Sequence, residues 1–111
     1  MTESAIDLPT FKALQEAAGT EFVVELVGTF LEEAPAMLAE LRSAQAEGAA
    51  DAFRRAAHSL KSNSHTFGAT RLGELARDLE LGGLIADGGP LDALEAEYQR
   101  TAAALKGLCS G

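Results

Sequence analysis

The chain has 111 residues, of which 47% are hydrophobic and 5% aromatic, and its net charge is −8. An acidic chain of this size is expected to fold as one domain with a modest core, and its charge argues against nucleic acid and anionic membranes as partners. No apolar run is long enough to span a membrane, no signal peptide is recognisable, and the single cysteine cannot form an internal disulfide. The sequence therefore predicts one cytoplasmic domain over residues 1–111, with flexible ends at about 1–6 and 107–111. A monomer is the default expectation.

The first predicted helix is short and has clear start and stop signals. Asp7 or Leu8 is the expected cap, and Pro9 lies in the first turn, where its missing N–H has no helical partner to lose. Gly19 is expected to end this helix.

The second predicted helix is long and contains a proline. Thr20 is its expected cap, and its apolar residues recur every three or four positions as far as Gly48, which closes it. Pro35 falls within this stripe without changing its register. The pattern therefore favours a kink in one long helix, although a break at Glu33 or Ala34 also fits.

The third predicted helix, about Ala50 to Phe67, has sharply different faces. At about 100° per residue, its apolar side carries Phe53, Ala56, Ala57, Leu60, Ser64 and Phe67. Its opposite side carries Asp51, Arg54, His58, Lys61, Ser62 and His65. His58 lies almost opposite the middle of the apolar side, so we expect a solvent-exposed imidazole.

Gly68 separates this helix from a fourth, which weakens at Gly82–Gly83 and either frays there or continues to Ala86. A turn at 87–89 precedes a last helix that starts at Pro90, with a tail from Gly107. No segment shows the alternation of a β-strand. The sequence predicts an all-α fold: an antiparallel up-down four-helix bundle with a short extra N-terminal helix.

An exposed histidine of this kind can act as a nucleophile towards phosphorus. The neutral ring has a free nitrogen that can attack a phosphoryl group and carry it. Lys61, one helical turn later, can stabilise the negative charge of that group. Ser62 is small and leaves the ring accessible to a partner protein.

Other polar residues near His58 have less specific explanations. Arg54 and Arg55 make this part of an acidic chain locally positive, which fits a phosphoryl group or an acidic partner, but each arginine alone is explained equally well as a solvated helix face. His65 lies about 10 Å along the helix from His58. It is either at the edge of a docking surface or a surface residue without a role, and no third ligand completes a metal site.

The run from His58 to Ser64, with Phe67-Gly68-Ala69, resembles the signature of histidine-containing phosphotransfer (HPt) domains of bacterial two-component phosphorelays. His58 matches the phosphorylated histidine, Lys61 the lysine of the motif, and Gly68 the glycine that closes the helix. Ser62 departs from the pattern, in which glycine is commonest. Segments 30–35 and 75–80 and the late Tyr98 also resemble the family, so the likeness extends over nearly the whole chain.

The resemblance implies a phosphorelay carrier with no cofactor and no metal of its own, any Mg²⁺ belonging to the partner. Its partners would be response-regulator receiver domains or a hybrid histidine kinase, docking across the second and third helices. No nucleotide-binding loop is present, so the chain is predicted to be a carrier and not a kinase. Direct phosphorylation by a chemotaxis-type kinase domain is a close variant. The alternative of a different class is a helical interaction module that carries no phosphoryl group.

Overall fold

A computed structural model describes residues 5–84 and 88–110 of the chain. Within these ranges all regular structure is helical, which confirms the predicted all-helical fold. The helices are α1 (Leu8–Ala18), α2 (Thr20–Glu47), α3 (Ala50–Thr66), α4 (Thr70–Gly82) and α5 (Gly89–Ser110). No described helix combines enough length and apolar character to cross a membrane.

The two N-terminal helices begin differently. Asp7 caps α1 as expected, since its carboxylate accepts hydrogen bonds from the backbone N–H of Thr10 at 3.2 Å and from its hydroxyl at 2.5 Å. The prediction that Thr20 caps the second helix was wrong. Gly19, at φ 96°, turns the chain directly from α1 into α2, so Thr20 is already helical.

Helix α2 continues through Pro35, so the alternative of a break before it was wrong. Proline has no backbone N–H, and the carbonyl of Leu31, four residues earlier, therefore loses its usual helical donor. The Tyr98 hydroxyl of α5 lies 3.4 Å from this oxygen and donates to it. Burial raises the pKa of Tyr98, which keeps the phenol protonated as a donor.

The C-terminal helix is longer than the sequence predicts. It starts at Gly89, before Pro90, and continues through the expected tail to Ser110. The extension packs on the protein, since Leu108 and Cys109 are half-buried against the core. Helix α4 ends at Gly82, while the predicted continuation towards Ala86 and the first residue of the predicted turn lie outside the described residues.

The ends predicted to be flexible are only partly described. Residues 1–4 and 111 lie outside the described ranges. Ala5 and Ile6 are buried, and Ile6 joins the core.

All five helices contribute to one apolar core. Its aromatic centre joins three elements: the Phe30 ring of α2 lies 5.4 Å from Phe67 and 6.1 Å from Tyr98, centroid to centroid. Such spacings suit tilted and edge-to-face aromatic contacts.

Contacts between helices give their relative directions. On α2, Leu31 contacts Tyr98 whereas the later Arg42 contacts the earlier Asp92 at 2.8 Å. The order is therefore reversed between α2 and α5. Gly48, at φ 71°, ends α2 and leads within two residues to α3, and Gly68, at φ 80°, connects α3 to α4.

The turn at Gly68 is also where α1 is attached. The backbone N–H of Asp7 donates to the Gly68 carbonyl at 2.7 Å. A Cβ on Gly68 would lie 2.8 Å from the Asp7 carbonyl oxygen. Glycine is therefore required there both by the positive φ and by the close approach of the N-terminal segment.

Candidate functional site

His58 lies in the middle of α3, and its side chain is 56% exposed. Its helix neighbours Ala57 and Leu60 are buried and fix that stretch of α3 against the core. The imidazole is thus held out on a packed helix, as the sequence predicts.

The structure places a carboxylate of α4 against this ring. Glu80 Oε2 lies 2.7 Å from His58 Nδ1, and Glu80 Oε1 lies 2.8 Å from Lys61 Nζ. The Glu80 side chain is only 15% exposed, so it sits between α3 and α4 with its two oxygens directed to different partners. His58, Lys61 and Glu80 form one cluster, which we call the histidine cluster.

The charges of the histidine cluster determine where the histidine proton lies. The close contact of the Lys61 ammonium and then the hydrogen bond from His58 lower the pKa of Glu80, so it is a carboxylate at neutral pH. An ionised carboxylate can only accept hydrogen bonds. His58 Nδ1 must therefore carry the proton, and in the neutral ring the lone pair is on Nε2, away from Glu80.

Lys61 is less exposed than its position on the polar face predicts. Its side chain is 24% exposed because it turns towards Glu80. The oxygen that it contacts is buried and has no well-aligned hydrogen bond, so the 2.8 Å approach of the ammonium is a charge contact. Lys61 thus compensates Glu80 while remaining on the same helix face as His58.

The remaining predicted site residues lie around the histidine cluster. Ser62 is exposed one turn after His58. Arg54 and Arg55 are exposed, and both contact Asp51. The Arg54 guanidinium lies 3.9 Å from the Asp51 carboxylate, and Arg55 Nε donates to the Asp51 backbone carbonyl at 3.4 Å. The structure therefore brings His58 and Lys61 together through Glu80, whereas the two arginines contact Asp51.

His65 lies on the same side of α3 as His58 but has a different neighbour. Its ring edge, formed by Cδ2 and Nε2, occupies the space where a Cβ on Gly73 of α4 would lie. Among the described residues, no carboxylate holds the His65 ring as Glu80 holds His58, and no group of three or more metal-ligating side chains is found.

Glu80 is the site residue that the sequence reasoning missed. It follows buried Leu79 and so lies at the border of the apolar face of α4. The sequence does contain a signal for their proximity. His58 and Glu80 lie at similar distances before and after the Gly68 turn, so they come level with each other if the two helices pack in opposite directions. That signal requires knowing that α3 and α4 pack directly on one another.

Comparison with protein-family models matches residues 25–104 to the Hpt domain. This chain belongs to the Hpt domain family. No curated protein and no solved structure gives a significant match. The matched range contains the whole of α3 and α4, and with them the histidine cluster, but leaves α1 outside. Hpt domains are helical phosphocarrier modules of phosphorelays and not classical enzymes.

Proposed function

We propose that this Hpt domain carries a phosphoryl group on Nε2 of His58, accepting it from the aspartyl phosphate of one receiver domain and passing it to another. One observation carries the proposal: the ring is 56% exposed, yet its Nδ1 is held 2.7 Å from Glu80 Oε2. The histidine is therefore both accessible to a partner and fixed in the tautomer that leaves Nε2 nucleophilic.

The transfer step balances without a proton leaving the ring. Nε2 attacks phosphorus, an N–P bond forms, and the O–P bond of the acyl phosphate breaks, its electron pair departing with the aspartate carboxylate. Nδ1 keeps its proton, so the phosphorylated ring is an imidazolium whose positive charge faces Glu80. In the reverse step the ring departs as a neutral imidazole, which is a better leaving group than the anion.

The arrangement that we propose for the helices is an antiparallel up-down bundle of α2–α5, with α1 as the extra helix, in a single domain over residues 1–111. The reversed order of contacts between α2 and α5 supports it. So does the short connection at Gly48, because helices joined by a tight turn pack side by side in opposite directions.

We propose that the receiver docks across α2 and α3. A cleft of ≈ 370 Å³ lies between these helices, lined by Met37, Glu40, Arg55, Ala56 and Ser59. Arg55 lines the cleft, and we propose Arg54 as a further edge of the docking surface, whereas the predicted edge residue His65 packs its ring against Gly73 of α4. Any Mg²⁺ in the complex would be held by the acidic pocket of the receiver.

The deciding experiment is intact-mass analysis after mixing with a phosphorylated receiver, for wild type, His58→Ala and His65→Ala. We expect one acid-labile phosphoryl adduct in wild type and His65→Ala, and none in His58→Ala. Circular dichroism of His58→Ala should be unchanged because the side chain is exposed.

Other outcomes would change the proposal in defined ways. An adduct lost only in His65→Ala would move the site. No adduct from a broad panel of receivers, with the protein folded, would favour the interaction module. An adduct formed only with ATP and a kinase domain would favour the chemotaxis-type variant.

Lys61 has a separate predicted role. Its ammonium lies 2.8 Å from Glu80 in the resting state, on the helix face that carries His58. Lys61→Ala should slow phosphoryl transfer by about tenfold, since a positive charge near the transferring group is lost. Quenched-flow transfer from a phosphorylated receiver measures the rate, with Lys12→Ala, an exposed lysine on α1, as the control; equal rates for wild type and Lys61→Ala would remove Lys61 from the mechanism.

A further inference from the structure

The seam between α3 and α4 contains two contacts with the same spacing. His65 follows His58 by seven residues on α3, and Gly73 precedes Glu80 by seven residues on α4. His58 contacts Glu80, and the His65 ring lies against Gly73. The two contacts are therefore about 10 Å apart along one seam, with the chain direction reversed between the helices.

At Gly73, the His65 ring fills the space that the missing side chain of the glycine leaves on α4. Gly73 is buried, and even the methyl group of alanine would overlap the Cδ2–Nε2 edge of the His65 ring. The backbone does not require glycine here, because Gly73 is an ordinary helical residue and not one of the positive-φ glycines. Glycine is a poor helix former, so the space needed by the His65 ring explains its presence.

A side chain that fits into a hole on a facing helix fixes how far one helix is shifted along the other. Such a shift matters at the other end of the seam. Glu80 Oε2 lies 2.7 Å from His58 Nδ1, and a slip by one residue, about 1.5 Å, would lengthen and misalign this hydrogen bond and so weaken it.

We propose that His65 and Gly73 are a positioning pair, which sets the register of α4 against α3 and thereby keeps Glu80 on His58. This inference rests on the proposed phosphotransfer at His58. His65 does not touch the phosphoryl group in this role; it acts through Glu80.

The test compares His65→Ala, which empties the hole, with the double variant His65→Ala/Gly73→Ala, which refills it with a methyl group. Thr66→Ala is the matched control, because Thr66 is exposed on the same helix end and its hydroxyl donates to the Ser62 carbonyl of its own helix, at 3.1 Å. Two readouts are needed: the ¹⁵N chemical shifts of the His58 ring, which report the Nδ1–H tautomer, and the rate of phosphoryl transfer from a phosphorylated receiver.

For His65→Ala we expect the His58 nitrogen shifts to move towards those of a free imidazole, and transfer to slow by about three- to tenfold, the range for loss of one hydrogen bond. The double variant should recover both signals in large part, and Thr66→Ala should match wild type.

Two results would overturn the inference. One is a His65→Ala variant with wild-type nitrogen shifts and wild-type transfer. The other is slowed transfer with unchanged nitrogen shifts and no recovery in the double variant, because His65 would then contact the partner directly. Both leave wild-type transfer intact, whereas failure of the proposed function would appear as a wild-type protein that accepts no phosphoryl group.

Discussion

At the scale of single residues, the site depends on one carboxylate that contacts both the His58 ring and the Lys61 ammonium. Glu80 binds the His58 ring with one oxygen and the Lys61 ammonium with the other, at 2.7 and 2.8 Å. The sequence suggests an uncompensated positive charge beside His58, whereas in the structure Glu80 neutralises the charge of Lys61. The lysine is already compensated in the resting protein, and the imidazole is oriented before any partner arrives.

The lowered pKa of Glu80 predicts how its contribution to stability varies with pH. The folded state holds the pKa below its ordinary value of 4.5, so the carboxylate stabilises the fold above that value. The contribution is lost as the pH falls through the lowered pKa, where the group becomes protonated in the folded state too.

We therefore expect Glu80→Gln to be less stable than wild type at about pH 7, and the difference to shrink in acid. Urea unfolding across this range measures it, with the exposed Glu74→Gln on the same helix as the control. A difference that is constant with pH would show that the loss comes from packing and not from charge.

At the scale of helices, the sequence predicted most start and stop points and the exposed position of His58. Asp7, Gly19, Gly48 and Gly68 act locally, through caps and backbone conformation, and local signals can be read in a single chain. The partner of His58 could not be predicted in this way. Glu80 reaches the ring only because α3 and α4 pack in one particular register, which is set by contacts between residues distant in sequence.

The glycines that end α2 and α3 offer a matched pair of substitutions. Both have positive φ, 71° at Gly48 and 80° at Gly68, but only Gly68 is crowded, with the Asp7 carbonyl 2.8 Å from a Cβ placed there. Gly48→Ala should cost about 1 kcal/mol for the backbone alone. Gly68→Ala should cost roughly 1–3 kcal/mol more, because a backbone oxygen must also move.

Denaturant unfolding of the two variants gives this difference directly. Equal losses of unfolding free energy at Gly48 and Gly68 would mean that the segment containing Asp7 moves away from the new methyl group without loss of stability.

The proline of α2 predicts a coupling to Tyr98. Since the Leu31 carbonyl lacks the helical donor that residue 35 would supply, the Tyr98→Phe substitution removes the hydroxyl, 3.4 Å away, that donates to it instead. Tyr98→Phe should therefore cost about 0.5–1.5 kcal/mol.

In a Pro35→Ala background the cost of Tyr98→Phe should fall towards zero, because the new backbone N–H supplies the helical bond. A double-mutant cycle of unfolding free energies measures the coupling. Strictly additive effects would show that the hydroxyl does not serve this carbonyl.

At the scale of the whole molecule, the folded unit is larger than the family match. The match begins at residue 25, yet Ile6 and Phe11, only 1% and 2% exposed, belong to the core. Their exact place in the bundle was not readable from the sequence, in which this segment shows only the start and stop signals of a short helix. It becomes clear once Asp7 is seen bonded to the α3–α4 turn.

A chain restricted to residues 25–104 should accordingly lose much of its stability. Burial of one large apolar side chain contributes about 1.5–3 kcal/mol, so loss of α1 with Ile6 and Phe11 should remove at least ~3 kcal/mol. Thermal and urea unfolding measure the loss, with a chain of residues 20–111 separating the effect of α1 from that of the first turn of α2 and the C-terminal turns of α5. Equal unfolding midpoints for the short and full chains would show that α1 does not contribute to the stability of the fold.

The hydrogen bond from His58 Nδ1 to Glu80 also has a kinetic consequence. It fixes the rotation of the ring, so Nε2 points in one direction from the surface of α3, and a phosphorus atom can reach it along one line only. Two receivers cannot occupy that line together. In the phosphotransfer that we propose, a donor must therefore leave before an acceptor binds. Steady-state transfer between two receivers should then give the parallel double-reciprocal lines of a ping-pong exchange, in which the phosphorylated carrier diffuses free between its partners.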